Sequence, residues 1–388
     1  MKRILIVHYG EIGLKKANKP YFVEKLRKQL KYKLEKKFRE VFSVKHVLSR
    51  FMIELPEGFV EEEYVKVVER IFGIKNFKFS FVGSVDLEKL GEQIVAELPE
   101  ARPESFRVKV KRSMILDMRS IDYERELGAI VLRSGFEVAV KMKAAELIID
   151  VELFNQDGYF SMKKYKGAGG LSANSQGKLI CLMSSGIDSP VAAYMMMRRG
   201  ARVIFAHFHG YPYTDKDEME QVQELVEILS DYQFDTKLYL IPFGFIQKAI
   251  ATNLEIPGKV RTVLYRRIML KISEQISRKE KANGLVTGES FGQVASQTPQ
   301  NIFAIHDAVN VPILPPLIGM DKDEVIAIAE RIGTFAISKL PCKDACSSFM
   351  PKSPELKANV HELRRYEENL PLAEWMEKAL SDAEVKMY

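Results

Sequence analysis

The sequence predicts an α/β protein: two small α+β units followed by a larger unit built on an open parallel sheet. Three observations carry that prediction. A chain of 388 residues has room for two to four domains at roughly 100 to 200 residues each. Its first 80 or so residues alternate strands and helices in a βαββαβ-like order, and from Lys178 onward strands and helical stretches alternate one for one.

The elements follow in order. Residues 2–8 (KRILIVH) read as a buried strand, Tyr9 to Gly13 as a turn, and Pro20 opens a helix with Phe22, Leu26, Leu30, Leu34 and Phe38 on one face and lysines on the other. HVLSRFMIEL and FKFSFVGSV read as strands on either side of the helix VEEEYVKVVERIF, which makes a ferredoxin-type unit of residues 1–80. In a second small unit, residues 105–111 alternate as a half-buried strand, Asp122 to Ser134 reads as a helix, and EVAVKMK, LIIDVELF and YFSMKKYKG supply strands. The Gly- and Ser-rich stretch 167–177 marks a linker. Beyond it the strands KLICLM, RVIFAHF, KLYLIPF and GLVTG alternate with helices, and the chain ends in a helical tail over 355–387.

Composition narrows the class. Hydrophobic residues at 46% and charged residues at 28% describe an ordinary globular chain. No apolar run approaches the roughly 18 residues that span a bilayer, and the short ILIV after Lys2 and Arg3 is no signal-peptide core, so no membrane association and a cytoplasmic location are expected. The three cysteines, Cys181, Cys342 and Cys346, cannot form a disulfide framework and contain no CxxC, which disfavours a zinc site; no protein metal ligands are expected. Charge is uneven. Residues 1–50 hold 15 Lys and Arg against 4 Glu, a local +11 in a chain of net +6, which suits either a docked polyanion or a lysine-rich solvated helix.

The segment with the most chemistry is Leu179 to Met183 followed by Ser184-Ser185-Gly186-Ile187-Asp188-Ser189 and Pro190. A buried strand runs into a turn of small residues, and Ser189 is placed to cap a helix whose first position is Pro190. Helix-start amides and the hydroxyls of Ser184, Ser185 and Ser189 suit a phosphate or pyrophosphate, although the same residues also fit a plain strand-to-helix turn. The segment is neither a Walker A loop nor GxGxxG. It resembles the SGGxDS motif of PP-loop pyrophosphatases, with Ser185 at the usual first glycine. A second turn, Thr287 to Thr298 (TGESFGQVASQT), follows another short strand at the same edge, where open α/β sheets bind ligands.

Together with Tyr265 to Met269 (YRRIM), Leu317 to Lys322 (LIGMDK) and the amino-terminal YGEIGLKK, these segments resemble the 4-thiouridine synthetase family along essentially the whole chain. The resemblance implies three domains: a ferredoxin-like domain over 1–80, a THUMP domain over 81–170 and a PP-loop domain over 171–388. It implies an enzyme that uses ATP with Mg2+ to adenylate uridine 8 of tRNA and exchange its 4-oxygen for sulfur, with a possible further role in thiazole synthesis for thiamine. ATP would meet Leu182, Met183, Ser184, Ser185, Gly186, Ser189, His207, Phe208, Arg266, Gly288 and Gln297. Asp188 would orient either the loop or Mg2+, and Lys322 matches the lysine of the activation step. Cys346 matches the cysteine that carries the persulfide, with Cys342 as the thiol that attacks it or resolves the intermediate. Cys181, inside an apolar strand, reads as core.

Lys15, Lys16, Lys19, Arg50, Lys109, Lys111, Arg112, Lys163, Lys164 and Lys166 are the candidates for phosphate contacts with tRNA. If about five of them engage, log K should fall against log salt with a slope of roughly −4. With no rhodanese domain before Tyr388, sulfur is expected from a cysteine desulfurase, and the family implies a homodimer. YRRIM lacks the CxxC that cluster-bearing relatives show there. Two other readings keep the fold: an RNA-binding module with a degenerate nucleotide site, suggested by Ser185, and a different PP-loop adenylating enzyme that has no need of Cys346.

Overall fold

The computed structural model of the chain describes residues 1–113, 118–341 and 353–388. They form two compact units, Met1–Gly170 and Leu171–Tyr388. The stretch 167–177 that spans the boundary is pinned, not slack: Gly169 N–H donates to the Ile74 carbonyl at 2.8 Å within the first unit, and Ser175 N–H to the Gly200 carbonyl at 2.8 Å within the second.

The first unit contains β1 (Arg3–Tyr9), α1 (Lys19–Phe38), β2 (Val44–Val47), β3 (Arg50–Glu54), α2 (Glu61–Val68), β4 (Ile74–Gly83), α3 (Leu87–Ala96), β5 (Ser105–Arg112), α4 (Ser120–Arg133), β6 (Ala139–Val140), β7 (Leu147–Phe154), β8 (Asp157–Ser161) and β9 (Tyr165–Lys166). All nine strands join one sheet in the order β2-β3-β1-β4-β8-β7-β5-β6, with β9 also paired to β4. The run HVLSRFMIEL is a hairpin: β2 folds back on β3 with Val47 opposite Arg50, and Leu48 takes a φ of +54° in the turn. EVAVKMK yields only the two residues of β6.

Helix α1 forms as its periodicity dictates, burying Phe22, Leu26, Leu30 and Leu34. Helices α3 and α4 close a second apolar layer, Leu90, Ile94, Leu127 and Val131 against Phe106, Val108, Ile149 and Val151 of the strands. The sheet also curls. Arg50 on β3 and Glu152 on β7 form an ion pair although four strand spacings separate them, about 19 Å in a flat sheet at ~4.8 Å per strand.

The second unit contains β10 (Lys178–Leu182), α5 (Asp188–Arg198), β11 (Arg202–His209), α6 (Asp217–Ser230), β12 (Lys237–Pro242), α7 (Gly244–Thr252), α8 (Arg261–Glu280), β13 (Leu285–Val286), α9 (Pro299–His306), β14 (Ile313–Leu314), α10 (Lys322–Ile332), α11 (Phe335–Ser338), α12 (Val360–Glu368), α13 (Leu372–Ser381) and β15 (Glu384–Met387). Its sheet runs β14-β13-β10-β11-β12-β15. The first five strands are parallel, and β15 lies antiparallel on β12 with Lys237 opposite Met387. The tail expected as helical throughout is therefore two helices and an edge strand.

Leu264, Ile268, Ile272 and Ile276 of α8 anchor the core of this unit beneath the strands, packed with Ile180, Ile204, Tyr239 and Ile241. Strand addition reverses at β10, since β11 and β12 extend to one side of it while β13 and β14 extend to the other. That reversal opens a crevice at the carboxyl ends of β10 and β13, the usual ligand position in open parallel sheets.

Candidate active site

Strand β10 delivers the backbone to the crevice at Leu182, and six residues later α5 begins at Asp188 with Ile187 before it and no side-chain cap. The expected cap at Ser189 is thus corrected. Its hydroxyl points back into the turn, accepting from Ser184 N–H at 2.9 Å and lying 3.1 Å from both the Ser184 hydroxyl and the Ser184 carbonyl. The reason is burial: Ser189 is 5% exposed, and the Ser184 backbone is the partner within its reach. The turn is cinched closed across its base, which fixes the shape of 184–189.

Around that turn lies a crevice of about 310 Å³. Of the residues expected to meet ATP, Leu182, Met183, Ser184, Gly186, Ser189, His207, Phe208, Arg266, Gly288 and Gln297 line it, and so does Asp188. Ser185 lies buried in the same turn, outside the crevice wall. His207 is 1% exposed, and its Nδ1 lies 3.0 Å from the Met183 carbonyl, which ties the end of β11 to the start of the turn. Gly288 has a steric reason to be glycine: a Cβ there would stand 2.9 Å from Ser189 N and 3.0 Å from the Asp188 carbonyl carbon, both backbone atoms of the 184–189 turn. The Gln297 amide oxygen is buried with no partner among the described residues, an acceptor suited to the exocyclic amine of an adenine.

Two clusters of charged groups, one on Asp188 and one on Glu289, lie at the crevice. Asp188 Oδ1 accepts from Lys322 Nζ at 2.6 Å and Oδ2 accepts from Gln293 Nε2 at 3.1 Å. With both oxygens occupied, Asp188 acts here as an anchor for Lys322 and for the 288–297 loop. Lys322 is the first residue of α10, whose capping box between Asp321 and Glu324 sets the helix start. Among the described residues no group of three or more His, Cys, Asp and Glu side chains is arranged to hold a metal ion.

Sequence reasoning passed over the second charged group. Glu289 is 3% exposed and accepts from Thr287 Oγ1 at 2.9 Å, with His306 Nε2 at 2.8 Å and Arg266 Nη1 at 3.9 Å. Burial by itself would raise its pKa, but the His306 bond and the charges of His306 and Arg266 more than reverse that, so the carboxyl titrates below its ordinary range. The carboxylate thereby holds Arg266 at the crevice wall. Glu289 and Gln293 both fall inside the TGESFGQVASQT segment, so the motif flagged the stretch while leaving their orientation open.

Cys346 and Cys342 lie outside the described residues. Cys181 is fully buried, and desolvation pushes its thiol up to about 12, so it is an inert core residue.

In the first unit the basic candidates separate into two groups. Lys16, Lys111, Arg112, Lys163, Lys164 and Lys166 are exposed; Lys15, Lys19 and Lys109 are half-buried, with Lys15 over the Phe22 ring at 5.3 Å and Lys19 over Tyr9 at 5.7 Å. Arg50 behaves differently. It is 8% exposed, pairs with Glu152, donates to Ser113 Oγ at 3.1 Å and stacks over Phe154, so its guanidinium is built into the curled sheet and withdrawn from phosphate.

Comparison with known proteins places this geometry in context. The family pattern described as Thiamine biosynthesis protein (ThiI) matches residues 174–372, and that of the ThiI ferredoxin-like domain matches residues 4–78. A protein named probable tRNA sulfurtransferase from Acetivibrio thermocellus is 36% identical over 390 residues, covering 99% of this chain and 98% of its own. One of the same name from Thermus thermophilus is 36% identical, covering 100% and 95%. Among solved structures, a 4-thiouridine synthetase in complex with RNA and bound ATP superimposes with a TM-score of 0.89 at 30% identity over 100% of both chains. A Pyrococcus horikoshii protein shares the fold at a TM-score of 0.65 and 21% identity.

Proposed function

The chain belongs to the ThiI family, the family of the tRNA sulfurtransferases, and on that footing we propose that it adenylates uridine 8 of tRNA with ATP and replaces the 4-oxygen by sulfur. The observation that carries this reading is the cinched turn 184–189 at the switch point of the parallel sheet, with Lys322 held beside it on Asp188. Adenine would enter between Met183, Phe208 and Gln297, and the phosphates would lie against the turn, near Arg266. Mg2+ would travel with the phosphates and their water shell, an oxygen-rich setting that needs few protein ligands.

The chemistry follows from charge. As uridine O4 attacks the α-phosphorus and the bond to pyrophosphate breaks, negative charge builds on the phosphate oxygens, and the Lys322 ammonium stabilises it. Pyrophosphate leaves across Ser184 and Ser189. A persulfide on Cys346, delivered by a cysteine desulfurase, then attacks C4 through its terminal sulfur and AMP departs. Attack of Cys342 on the Cys346 sulfur breaks the S–S bond, leaves sulfur on the base and closes a disulfide that an external thiol must reduce. Residues 1–80 and 81–170, as ferredoxin-like and THUMP parts, would hold the tRNA, and 171–388 would perform the chemistry in the cytoplasm, in a homodimer. The ThiI family description also favours supply of the same sulfur to thiazole synthesis.

The test is thiolation of unmodified tRNA in vitro, read as 4-thiouridine by mass spectrometry alongside pyrophosphate release. Cys346→Ser should abolish thiolation and retain RNA-stimulated pyrophosphate release, whereas Lys322→Ala should lose the release as well. Full thiolation by Cys346→Ser, or AMP formation without any thiolated base in the wild type, would refute the assignment.

A further inference from the structure

The loop between β13 and α9 presents an aromatic ring that packing does not account for. Phe291 is 60% exposed and Val294 47% exposed. The loop beneath them is pinned: Phe291 N–H donates to the Ile318 carbonyl at 3.1 Å and Gly292 N–H to the Gln297 carbonyl at 2.9 Å. Gly292 takes a φ of +74°, a conformation glycine adopts without steric cost. One residue further, Gln293 donates to Asp188, whose other oxygen holds Lys322. Two residues of chain span at most about 7 Å, and with the Gln293 side chain and its bond to Asp188 the Phe291 backbone is tethered within about 15 Å of the Asp188–Lys322 pair. That side of the site is open, with the Lys322 side chain 41% exposed and the Asp188 side chain 21% exposed. Val294, three residues on from Phe291, lines the crevice itself.

Isolated exposed apolar side chains are common and need no explanation. An exposed ring carried on a pinned loop, two residues from the side chain that bonds Asp188, meets a specific need of the proposed reaction. A base inside folded RNA cannot reach the α-phosphate until it leaves its stack, and a base swung out loses stacking that another flat surface can restore. Ring stacking orients the plane of a base and leaves its edges free, which suits a reaction at an exocyclic oxygen. We propose that Phe291, with Val294 three residues on at the crevice wall, is the platform on which the target uracil stacks with its O4 edge turned toward the phosphate turn. The inference rests on the reading of the chain as a tRNA sulfurtransferase and adds the docking site of the base.

Two measurements on the full chain test it. In the first, tRNA carrying photoreactive 4-thiouridine at position 8 is bound in the presence of a non-hydrolysable ATP analogue, irradiated with long-wave ultraviolet light, and the attached peptide is sequenced by mass spectrometry. Attachment at Phe291 or its immediate neighbours is expected. Attachment elsewhere in residues 171–388 overturns the platform and leaves the sulfurtransferase reading standing, whereas attachment only outside those residues overturns both. In the second, Phe291→Ala should lower kcat/KM for tRNA about tenfold or more, the loss of one base–aromatic stack, with the Kd for ATP changed by less than about twofold. Phe291→Trp should restore most of that loss. Unchanged turnover in Phe291→Ala, or equal losses in the alanine and tryptophan variants, would assign the ring to packing and dismiss the proposal.

Discussion

At Glu152 a single side chain shows what the curled sheet does to charge. It is 1% exposed, and its carboxylate meets Lys78 Nζ at 2.6 Å, His8 Nε2 at 2.8 Å and the Arg50 guanidinium, while Asp150 next but one along β7 meets the other side of Lys78 at 2.6 Å. Burial would raise the Glu152 pKa, but the His8 bond and the Lys78 charge outweigh it, and the carboxyl titrates far below its ordinary value of 4.5; Asp150 moves the same way by the charge and bond of Lys78. For a depressed carboxyl the unfolded chain takes up protons first as pH falls. The stabilisation is therefore complete above about pH 5 and drains away as pH drops through the unfolded pKa and beyond. Thermal melts of the first unit followed by circular dichroism should show a midpoint that is flat from pH 7 to about 5 and falls steeply below that. A midpoint unchanged down to pH 3 would mean the cluster adds nothing.

One scale up, the same pairing of buried charges decides how whole elements are held. Helix α12 packs on the core through Leu363 and is clamped there by Arg267 on α8, a residue 1% exposed whose Nε and Nη2 fork onto Glu367 at 2.7 and 3.0 Å while Nη1 reaches the Ala304 carbonyl and, at 3.2 Å, Asp307. Arg364 on α12 adds two bonds to Asp307 at the exposed rim. Arg267→Ala would strand the Glu367 carboxylate, leaving Lys271 at 2.8 Å as its ion-pair partner among the described residues, and should destabilise the second unit by about 3–5 kcal/mol. Arg267→Lys should recover part of that, because an ammonium cannot reproduce the fork. Denaturant midpoints of the two variants check this, and a loss below about 1 kcal/mol for alanine would count against the clamp.

Legibility in the sequence follows the same division. The β–α alternation, the face of α1, the core position of Cys181 and the two turns at one sheet edge could be read directly because periodicity and small-residue strings report them. The β2–β3 turn could not, since Leu48-Ser49 carries none of the glycine or asparagine that usually marks a two-residue hairpin. Nor could β15, whose four residues include two charges and follow directly on a helix. Alternation places Lys78 and Arg50 opposite the apolar face, where water is the default expectation; only the curl of the sheet turns that face into an interior. In YRRIM, adjacent positions on a helix point about 100° apart, and the string alone does not say that Arg266 faces the crevice while Arg267 is buried.

For the whole molecule the governing asymmetry is charge. The first 50 residues carry +11 of a chain whose net is +6, a charge suited to a polyanion at one end of the sequence, while the crevice of the parallel sheet lies in residues beyond 171. Association with tRNA should therefore be salt-sensitive, with a slope of about −4 in log K against log salt if five lysines and arginines contact phosphate, whereas ATP binding in the second unit should depend on salt far less steeply. The individual residues then divide cleanly. Lys163→Ala and Lys166→Ala alter exposed ammonium groups and should each weaken tRNA binding evenly across sequences and flatten the slope by about 1 if that lysine is among the contacts. Arg50→Ala removes a guanidinium already engaged by Glu152, Ser113 and Phe154, so it should lower the melting temperature of the first unit without changing the slope. Filter-binding or fluorescence titrations at four salt concentrations separate these outcomes. A slope that flattens for a well-folded Arg50→Ala protein would show that the guanidinium leaves its buried partners for the RNA, and that the curled sheet opens when tRNA binds.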